Sequence, residues 1–173
     1  MYRKGEKKHP NKIALSWTLG TAIVSFVGAG LLGLAHTLPG VNMYTHGTLV
    51  TAMHGHLAFW GAYGMIVLAF ISYSMPNLTG RKFYDSTTGL LAFWLSNIGM
   101  VGMTVAFGVA GVAQVYLERK VGIEFGVVQQ EIQVHFVILA ACATLFTTGI
   151  GFYIYEFVKY GRPNDEALET ISN

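Results

Sequence analysis

Charged side chains are scarce in this sequence. They make up 12% of its 173 residues, whereas 53% of the residues are hydrophobic. Soluble domains carry about 25% charged residues, and the helices of a soluble bundle keep a polar face towards water. Almost all of the apolar residues here fall into four long segments without such a polar face. The shortage of charge therefore excludes an ordinary soluble domain.

Cysteine is nearly absent too, because Cys142 is the one cysteine of the chain. A lone cysteine excludes an internal disulfide framework and a metal site built from cysteines. The 11 lysines and arginines slightly outnumber the 9 acidic residues, and they lie at the ends of the apolar segments. That placement is typical of membrane orientation signals, so we expect no nucleic-acid partner.

The four apolar segments cover residues 13–38, 48–73, 88–116 and 132–157. Each is longer than the ~20 residues that a helix needs to cross the hydrocarbon of a bilayer. The sequence therefore predicts an all-α integral membrane protein with four transmembrane helices in contact with lipid. Residues 13–160 form the transmembrane part, between a basic tail at 1–12 and a polar tail at 161–173.

The basic residues are distributed unequally between the two sides of the membrane. When both tails are placed on one side, nine of the eleven lysines and arginines fall there and two fall on the other side. Cytoplasmic loops carry the excess of positive charge in membrane proteins. We therefore predict that both termini are cytoplasmic and that the loop PGVNMYTHG, after the first helix, lies outside.

The second apolar segment contains the stretch TAMHGHLAFWG, in which His54 and His56 are one glycine apart. Residues two apart on an α-helix are turned by about 200°, so the two imidazoles leave on nearly opposite faces. A metal ion held by a single helix needs ligands four residues apart, as in HExxH motifs. The spacing therefore argues against one shared metal ion and indicates two separate sites.

Two large planar cofactors, one on each side of the helix, satisfy this geometry. Haem iron accepts a neutral imidazole as its axial ligand, and the macrocycle fills the apolar space between helices. Small residues thin the helix around the pair, as a flat macrocycle requires: Gly55, Ala58, Gly61 and Gly64. The alternative for either histidine is a structural hydrogen bond to a neighbouring helix.

Residues 38–63, LPGVNMYTHGTLVTAMHGHLAFWGAY, resemble the tenth helix and preceding loop of the catalytic subunit of bacterial nitric oxide reductases. These enzymes belong to the haem–copper oxidase superfamily, and the H-x-H pair is the superfamily's hallmark. The flanking THG and HGHLAFWGAY narrow the resemblance to the reductases. It extends over about residues 12–160, which correspond to helices nine to twelve of a twelve-helix bundle.

The resemblance implies a role for each histidine. His54 corresponds to the axial ligand of the high-spin, catalytic haem b, and His56 to an axial ligand of the low-spin haem b. The implied reaction converts two NO, two electrons and two protons into N2O and water, in the bacterial inner membrane. The family's second low-spin ligand and its non-haem iron ligands lie on earlier helices. A companion chain or the remaining helices of the subunit therefore have to supply them.

Several alternatives stay open at this point. The chain is a fragment, a split subunit or a free-standing relative, and its electrons come from a cytochrome c subunit or from quinol. A self-contained four-helix haem b electron-transfer anchor, a different class of protein, requires a second histidine facing His54 or His56. His36 and His135 are the candidates for that ligand. A haem-free assembly or regulatory remnant is the third alternative, and it predicts no Soret absorbance.

Two polar residues near the outer boundary of the second helix have a weaker assignment. Thr45 and His46 are candidates for contacts with a haem propionate, and plain interfacial solvation is the alternative for both. His36 ends the first helix, where an imidazole stabilises C-terminal carbonyl groups without any further function.

The fourth apolar segment contains three further polar residues with an expected role. Glu131 and His135 are four residues apart at its outer start, and this spacing predicts a structural ion pair that caps the helix, with a proton-conducting pair as the alternative. Glu156 lies near its inner end, where we expect the carboxylate to reach the headgroup level.

The charge distribution gives the first testable prediction. A cysteine introduced as Asn42→Cys should react with an impermeant thiol reagent added outside intact cells. A cysteine introduced as Lys7→Cys should react only after the membrane has been permeabilised. Labelling with the opposite sidedness would invert the predicted topology and move the histidine pair towards the cytoplasmic side.

Overall fold

The structure is a computed structural model, and it describes residue 9, residues 11–79 and residues 87–160. Every regular element in these ranges is helical. Four of the helices are long and apolar enough to span a membrane: Lys12–Thr37 (span 1), Leu49–Thr79 (span 2), Thr87–Val121 (span 3) and Gln133–Lys159 (span 4). The predicted all-α membrane fold with four spans is confirmed. The predicted tails at 1–12 and 161–173 lie outside the described residues, apart from His9, Asn11 and Lys12.

Three of the spans contain a wider, π-helical turn. Span 1 consists of Lys12–Ser25, π-helical Phe26–Leu32 and Gly33–Thr37, and span 2 of Leu49–Phe59, π-helical Trp60–Gly64 and Met65–Thr79. Span 3 consists of Thr87–Gln114 and π-helical Val115–Val121, and span 4 belongs to the α-helix Gln133–Tyr160. The π-helical turn of span 1 packs against Leu49–Phe59, the part of span 2 that carries both histidines. Turns of this kind are frequent at functional sites.

The connection between spans 1 and 2 is not the loop that the sequence predicted. It contains the short helix Pro39–Thr45, and a second short helix, Phe125–Glu131, precedes span 4. Leu38 is extended, with a ψ of 121°, and separates span 1 from Pro39. Proline at the first helical position has its φ angle already set for a helix, which favours a new start there.

Span 2 continues past residue 73, where the sequence predicted its end. It does so because a side chain at the start of span 1 replaces the backbone hydrogen bond that Pro76 cannot make. Pro76 has no N–H to donate to the carbonyl oxygen of Ser72, four residues earlier. The side-chain amide of Asn11 donates to that oxygen instead, at 2.9 Å. The other atom of this amide, Oδ1, accepts the N–H of Ala14 and caps span 1. Span 2 therefore continues as a helix to Thr79.

Tyr153 of span 4 joins the same end of the bundle. Its hydroxyl group donates to the carbonyl oxygen of Leu68 at 2.9 Å and lies 3.1 Å from the hydroxyl oxygen of Ser72. Glu156, one turn further along span 4, is 5% exposed and lines a small cavity together with Ser72 and Tyr153. Glu156 is thus buried between spans rather than exposed at the headgroup level as expected.

The centre of the bundle is an aromatic cluster to which all four spans contribute. Trp17 of span 1 is fully buried and makes edge-to-face contacts with Trp60, Phe93 and Tyr153, at centroid distances of 6.0, 5.1 and 5.7 Å. Aromatic pairs favour this geometry, and each contributes about 0.5–1.5 kcal/mol beyond its buried area. The cluster thus brings all four spans together around one point.

Glycines allow the backbones of neighbouring spans to touch on either side of this cluster. A Cβ atom at Gly28 of span 1 would lie 2.7 Å from the backbone nitrogen of Ala58 in span 2. A Cβ atom at Gly99 of span 3 would lie 2.7 Å from the carbonyl oxygen of Cys142 in span 4. Helices in lipid associate by such close packing, because hydrocarbon offers no hydrophobic driving force between them.

The start of span 2 is held by span 3. The hydroxyl oxygen of Thr48 accepts the N–H of Val50 at 3.3 Å, and the side-chain oxygen of Gln114 accepts the N–H of Leu49 at 2.9 Å. Gln114 is 3% exposed, and its amide nitrogen donates to Glu118 at 3.0 Å. The first N–H groups of a helix have no partner within the helix, so this side chain completes the beginning of span 2.

Gly149 and Gly151 of span 4 give a matched pair of variants for this packing. A Cβ atom at Gly149 would lie 3.0 Å from Cα of Ser96 in span 3, whereas Gly151 faces open space. We expect Gly149→Leu to destabilise the bundle by about 1–3 kcal/mol, as overpacking does, and Gly151→Leu to leave its stability nearly unchanged. Unfolding in detergent micelles, followed by circular dichroism, measures both. Equal destabilisation by the two changes would contradict the assigned contact between spans 3 and 4.

Candidate functional site

His54 faces span 1. It is half-buried, and its Nδ1 atom lies 2.9 Å from the carbonyl oxygen of Gly28. A carbonyl oxygen can only accept a hydrogen bond, so Nδ1 carries the proton. In a neutral imidazole the lone pair then lies on Nε2, which is the atom that binds a metal. Gly28 belongs to the π-helical turn of span 1, so this turn fixes the tautomer of His54.

His56 faces span 3 instead. Its ring is exposed, and its centroid lies 4.8 Å from that of Phe107. Nδ1 of His56 lies 2.8 Å from the carbonyl oxygen of Ala52, one turn earlier in the same helix. The proton is again on Nδ1 and the lone pair on Nε2. The two imidazoles therefore carry the same tautomer and contact different spans, in agreement with the angle of about 200° between their positions.

Span 1 encloses the ring of His54 on two further sides. The ring of His36 stacks on it, with a centroid distance of 4.8 Å and an interplanar angle of 22°. A Cβ atom at Gly33 would lie 3.4 Å from Cε1 of His54, so the absence of a side chain there leaves room for the imidazole. Gly28, Gly33 and His36 together determine how His54 lies against span 1.

His36 itself has one ring nitrogen bonded and one buried without a partner. Nδ1 lies 2.8 Å from the carbonyl oxygen of Leu32, one turn earlier in span 1 and not among the last four carbonyl groups of that span. Nε2 is buried and has no hydrogen-bond partner among the described residues. An unpaired buried polar atom costs about 1–3 kcal/mol. A histidine at position 36 therefore lowers the stability of the fold, which suggests that its ring has a function.

An open apolar groove runs beside His56. It has a volume of about 520 Å³ and is lined by Ala52, Gly55, His56 and Phe59. A Cβ atom at Gly55 would meet nothing within 4 Å, so this glycine leaves the groove wide next to the imidazole.

Ala58, Gly61 and Gly64 were also predicted to leave room for a macrocycle, but they have different neighbours from Gly55. A Cβ atom at Gly61 would lie 2.7 Å from the carbonyl carbon of Val24, and one at Gly64 would meet the ring of Trp60. Ala58 lies against Gly28 of span 1. The prediction that all of them thin the surface beside the pair is wrong for these residues, because packing against span 1 or within span 2 uses the space.

Thr45 ends the Pro39–Thr45 helix, and His46 follows it before span 2 begins. The hydroxyl group of Thr45 donates to the carbonyl oxygen of Val41 at 3.0 Å, and its backbone carbonyl oxygen accepts from the hydroxyl group of Thr51 at 2.8 Å. His46 is exposed, and its backbone N–H donates to Asn42 at 2.9 Å. The proton of the Thr45 hydroxyl is thus engaged, whereas the ring of His46 is accessible.

The predicted ion pair between Glu131 and His135 is wrong, because the two residues do not share a helix. Glu131 ends the Phe125–Glu131 helix, and Ile132 breaks the helical path with a ψ of 2° before Gln133 begins the next helix. The side chain of His135 instead bonds the carbonyl oxygen of Ile132 at 3.2 Å, and Glu131 is exposed.

The second axial ligand that a self-contained haem b protein requires has no suitable geometry at His36. Two axial imidazoles direct their nitrogen atoms at each other across the iron, whereas His36 and His54 lie face to face. His135 bonds the beginning of its own span. Among residues 11–79 and 87–160, no group of three His, Cys, Asp or Glu side chains comes together as a metal site.

The histidine pair meets the chemical requirements of axial haem ligands. Both Nδ1 atoms donate to carbonyl oxygens, which leaves two Nε2 lone pairs on rings of fixed tautomer. Metal-binding histidines characteristically donate their other ring N–H in this way. The groove at His56 is apolar and open, as a macrocycle requires.

The residues that hold this pair in place were not predicted from the sequence. Gln114, which completes the beginning of span 2, is a glutamine within an apolar segment, and that alone was a signal of a buried polar contact. The contacts of His54 with Gly28, Gly33 and His36 had no signal in the sequence. They depend on how far span 1 is shifted along span 2, and the periodicity of a single helix does not determine that shift.

Comparison with known proteins identifies relatives of this chain. The family described as cytochrome C and quinol oxidase polypeptide I matches residues 2–145. The B subunit of nitric oxide reductase from Stutzerimonas stutzeri is 38% identical over 170 residues, which cover 94% of this chain and 36% of that protein. Cytochrome c oxidase subunit 1 from Corynebacterium diphtheriae is 27% identical over 88 residues, covering 51% of this chain and 15% of that protein. The chain thus spans about a third or less of the length of either relative.

Proposed function

Because the chain belongs to the cytochrome c and quinol oxidase polypeptide I family of haem–copper oxidases, we propose that it is a haem-binding membrane segment of a nitric oxide reductase. The reaction of the complete enzyme is the conversion of two NO, two electrons and two protons into N2O and water. The similarity to the nitric oxide reductase of Stutzerimonas stutzeri over 94% of the chain supports this choice over an oxygen-reducing oxidase.

The observation that carries the proposal is the fixed, divergent histidine pair. His54 is the axial ligand of a high-spin haem b at which NO is reduced, and His56 is an axial ligand of a low-spin haem b. When bound, the two haems supply the redox chemistry. The chain directs Nδ1–H of each imidazole at a backbone carbonyl oxygen, which leaves Nε2 for iron. Neither histidine transfers a proton in this role, because its ring proton stays on Nδ1, where it is bonded to a backbone carbonyl oxygen.

The two positions differ in how firmly the protein holds the ring. His54 is anchored to another span through Gly28, whereas His56 is anchored to Ala52 of its own helix and is exposed. Ligand orientation by such outer contacts typically changes metal affinity by 10–100-fold. A catalytic site has to keep its iron in a constant position, and the hydrogen bond from His54 to Gly28 in another span serves this purpose. This agrees with the assignment of His54 to the high-spin haem.

The remaining parts of the enzyme come from outside this chain. In spans 1 and 4, 11% of the residues of an apolar 18-residue stretch are buried, which leaves surface for the remaining helices of the subunit or for a companion chain. Those helices supply the non-haem iron ligands and the second ligand of the low-spin haem. A cytochrome c subunit or quinol supplies the electrons. His46, whose ring is exposed, is the more suitable donor to a haem propionate, because the proton of Thr45 is engaged.

The proposal places the chain in the bacterial inner membrane with both termini in the cytoplasm. The charge distribution supports this orientation, with nine of the eleven basic residues on the side of the termini. The histidine pair then lies in the outer half of span 2, about 10 Å below its outer end at a rise of 1.5 Å per residue.

Single substitutions in the membrane complex that contains this chain test the assignment. His54→Ala should remove the high-spin haem signal and the activity while low-spin absorbance remains. His56→Ala should remove the low-spin signal. His135→Ala is the matched change, since this half-buried histidine lies on another span, and it should leave both signals intact. Loss of low-spin absorbance in His135→Ala would support the self-contained haem b anchor, and retention of both haems in His54→Ala would contradict the proposal.

The number of ligands gives a second prediction. Besides His54 and His56, the sequence contains four further histidines, and none of them completes a cluster of three candidate metal ligands within the described residues. We therefore expect the purified chain, supplied with haem and iron, to produce no N2O from NO and a reductant. Gas chromatography of the headspace measures the product, with the complete enzyme as the positive control. Steady N2O formation by the chain alone would refute the need for further helices.

A further inference from the structure

The imidazole of His36 in span 1 stacks on the imidazole of His54 in span 2. The two ring centroids are 4.8 Å apart and the ring planes differ by 22°. His36 is itself held by the bond from its Nδ1–H to the carbonyl oxygen of Leu32, at 2.8 Å. This bond directs the Nδ1 edge of the His36 ring towards its own span, and the face of the ring meets His54.

A single hydrogen bond does not fix the plane of the His54 imidazole. Hydrogen bonds tolerate bending by tens of degrees, and the χ2 torsion of histidine has a broad energy well. The carbonyl oxygen of Gly28 thus directs Nδ1 but leaves the ring free to tilt. The stacked ring of His36 limits the tilt towards one face.

We propose that His36 is a positioning residue for the axial ligand: its stacked ring fixes the plane of the His54 imidazole and thereby the direction of Nε2. The inference rests on the proposed function, in which His54 is the ligand of the high-spin haem. Nε2 of His36 is buried without a hydrogen-bond partner among the described residues. The contribution of the side chain to the position of His54 is then the face of its ring, which another flat aromatic ring can replace.

Three variants in the membrane complex test this role. His36→Leu fills similar space without a flat ring, and His36→Phe restores a flat ring. Thr37→Val is the matched control, because Thr37 is the exposed neighbour in the same short helix, and its hydroxyl group bonds the carbonyl oxygen of Leu34. Resonance Raman spectroscopy of the ferrous complex measures the iron–histidine stretching band, which reports the geometry of the axial bond without turnover.

We expect His36→Leu to split or broaden this band and to weaken retention of the high-spin haem by about tenfold, with the low-spin signal unchanged. His36→Phe and Thr37→Val should keep the single band of the unaltered complex. An unchanged band in His36→Leu would overturn the inference. If His36→Leu does not assemble, which loss of the low-spin signal would reveal, His36→Phe decides: a single band supports the inference and a split band overturns it.

The proposed function and the role of His36 fail in different ways. If the band is missing from the unaltered complex, or persists in His54→Ala, then His54 is not the ligand and the proposed function itself is wrong. If the band depends on His54 but not on a ring at position 36, the proposed function stands and the role of His36 does not.

Discussion

Hydrocarbon provides no hydrogen-bond partner, so each polar group within a span has to find one inside the protein. Polar contacts between spans meet that requirement at several places in this fold. The Ser72 carbonyl oxygen, left open by Pro76, accepts from Asn11, the N–H of Leu49 donates to Gln114, and Nδ1–H of His54 donates to Gly28. Apolar contacts between spans discriminate poorly against lipid, which is equally apolar. The polar contacts therefore determine which residues of neighbouring spans stand opposite each other.

The divergence of the histidine pair was predictable from the sequence, because it depends on the geometry of one helix. The number of spans was predictable for the same reason, since hydrophobic length is a local property. The partners of the pair were not. The stack of His36 on His54 joins two helices, and so does the bond from His54 to Gly28. Gly61 illustrates the limit, because in sequence it looks like part of a thin helix face and in the fold it packs against span 1.

Helix ends were also less predictable than helix centres. Span 2 passes through Pro76 because a side chain from another span supplies the missing contact, and a helix forms at Pro39 within a segment that looks like a loop. The break at Ile132 separates Glu131 from His135, although their spacing suits a helical ion pair. Each case depends on a contact or a backbone angle that residue spacing alone does not reveal.

The bond from Asn11 to Ser72 also bears on how the chain enters the membrane. Span 1 is synthesised before span 2. Asn11, which caps span 1, therefore already carries the amide that the carbonyl group of Ser72 in span 2 requires. A span 2 displaced by one residue would move the open carbonyl group by about 1.5 Å along the axis and 100° around it, away from Asn11. That mispaired hairpin would leave a bare carbonyl group in lipid, a penalty of several kcal/mol. Pro76 thus makes the register of span 2 against span 1 depend on one hydrogen bond, which favours the native pairing of the two spans over a displaced one.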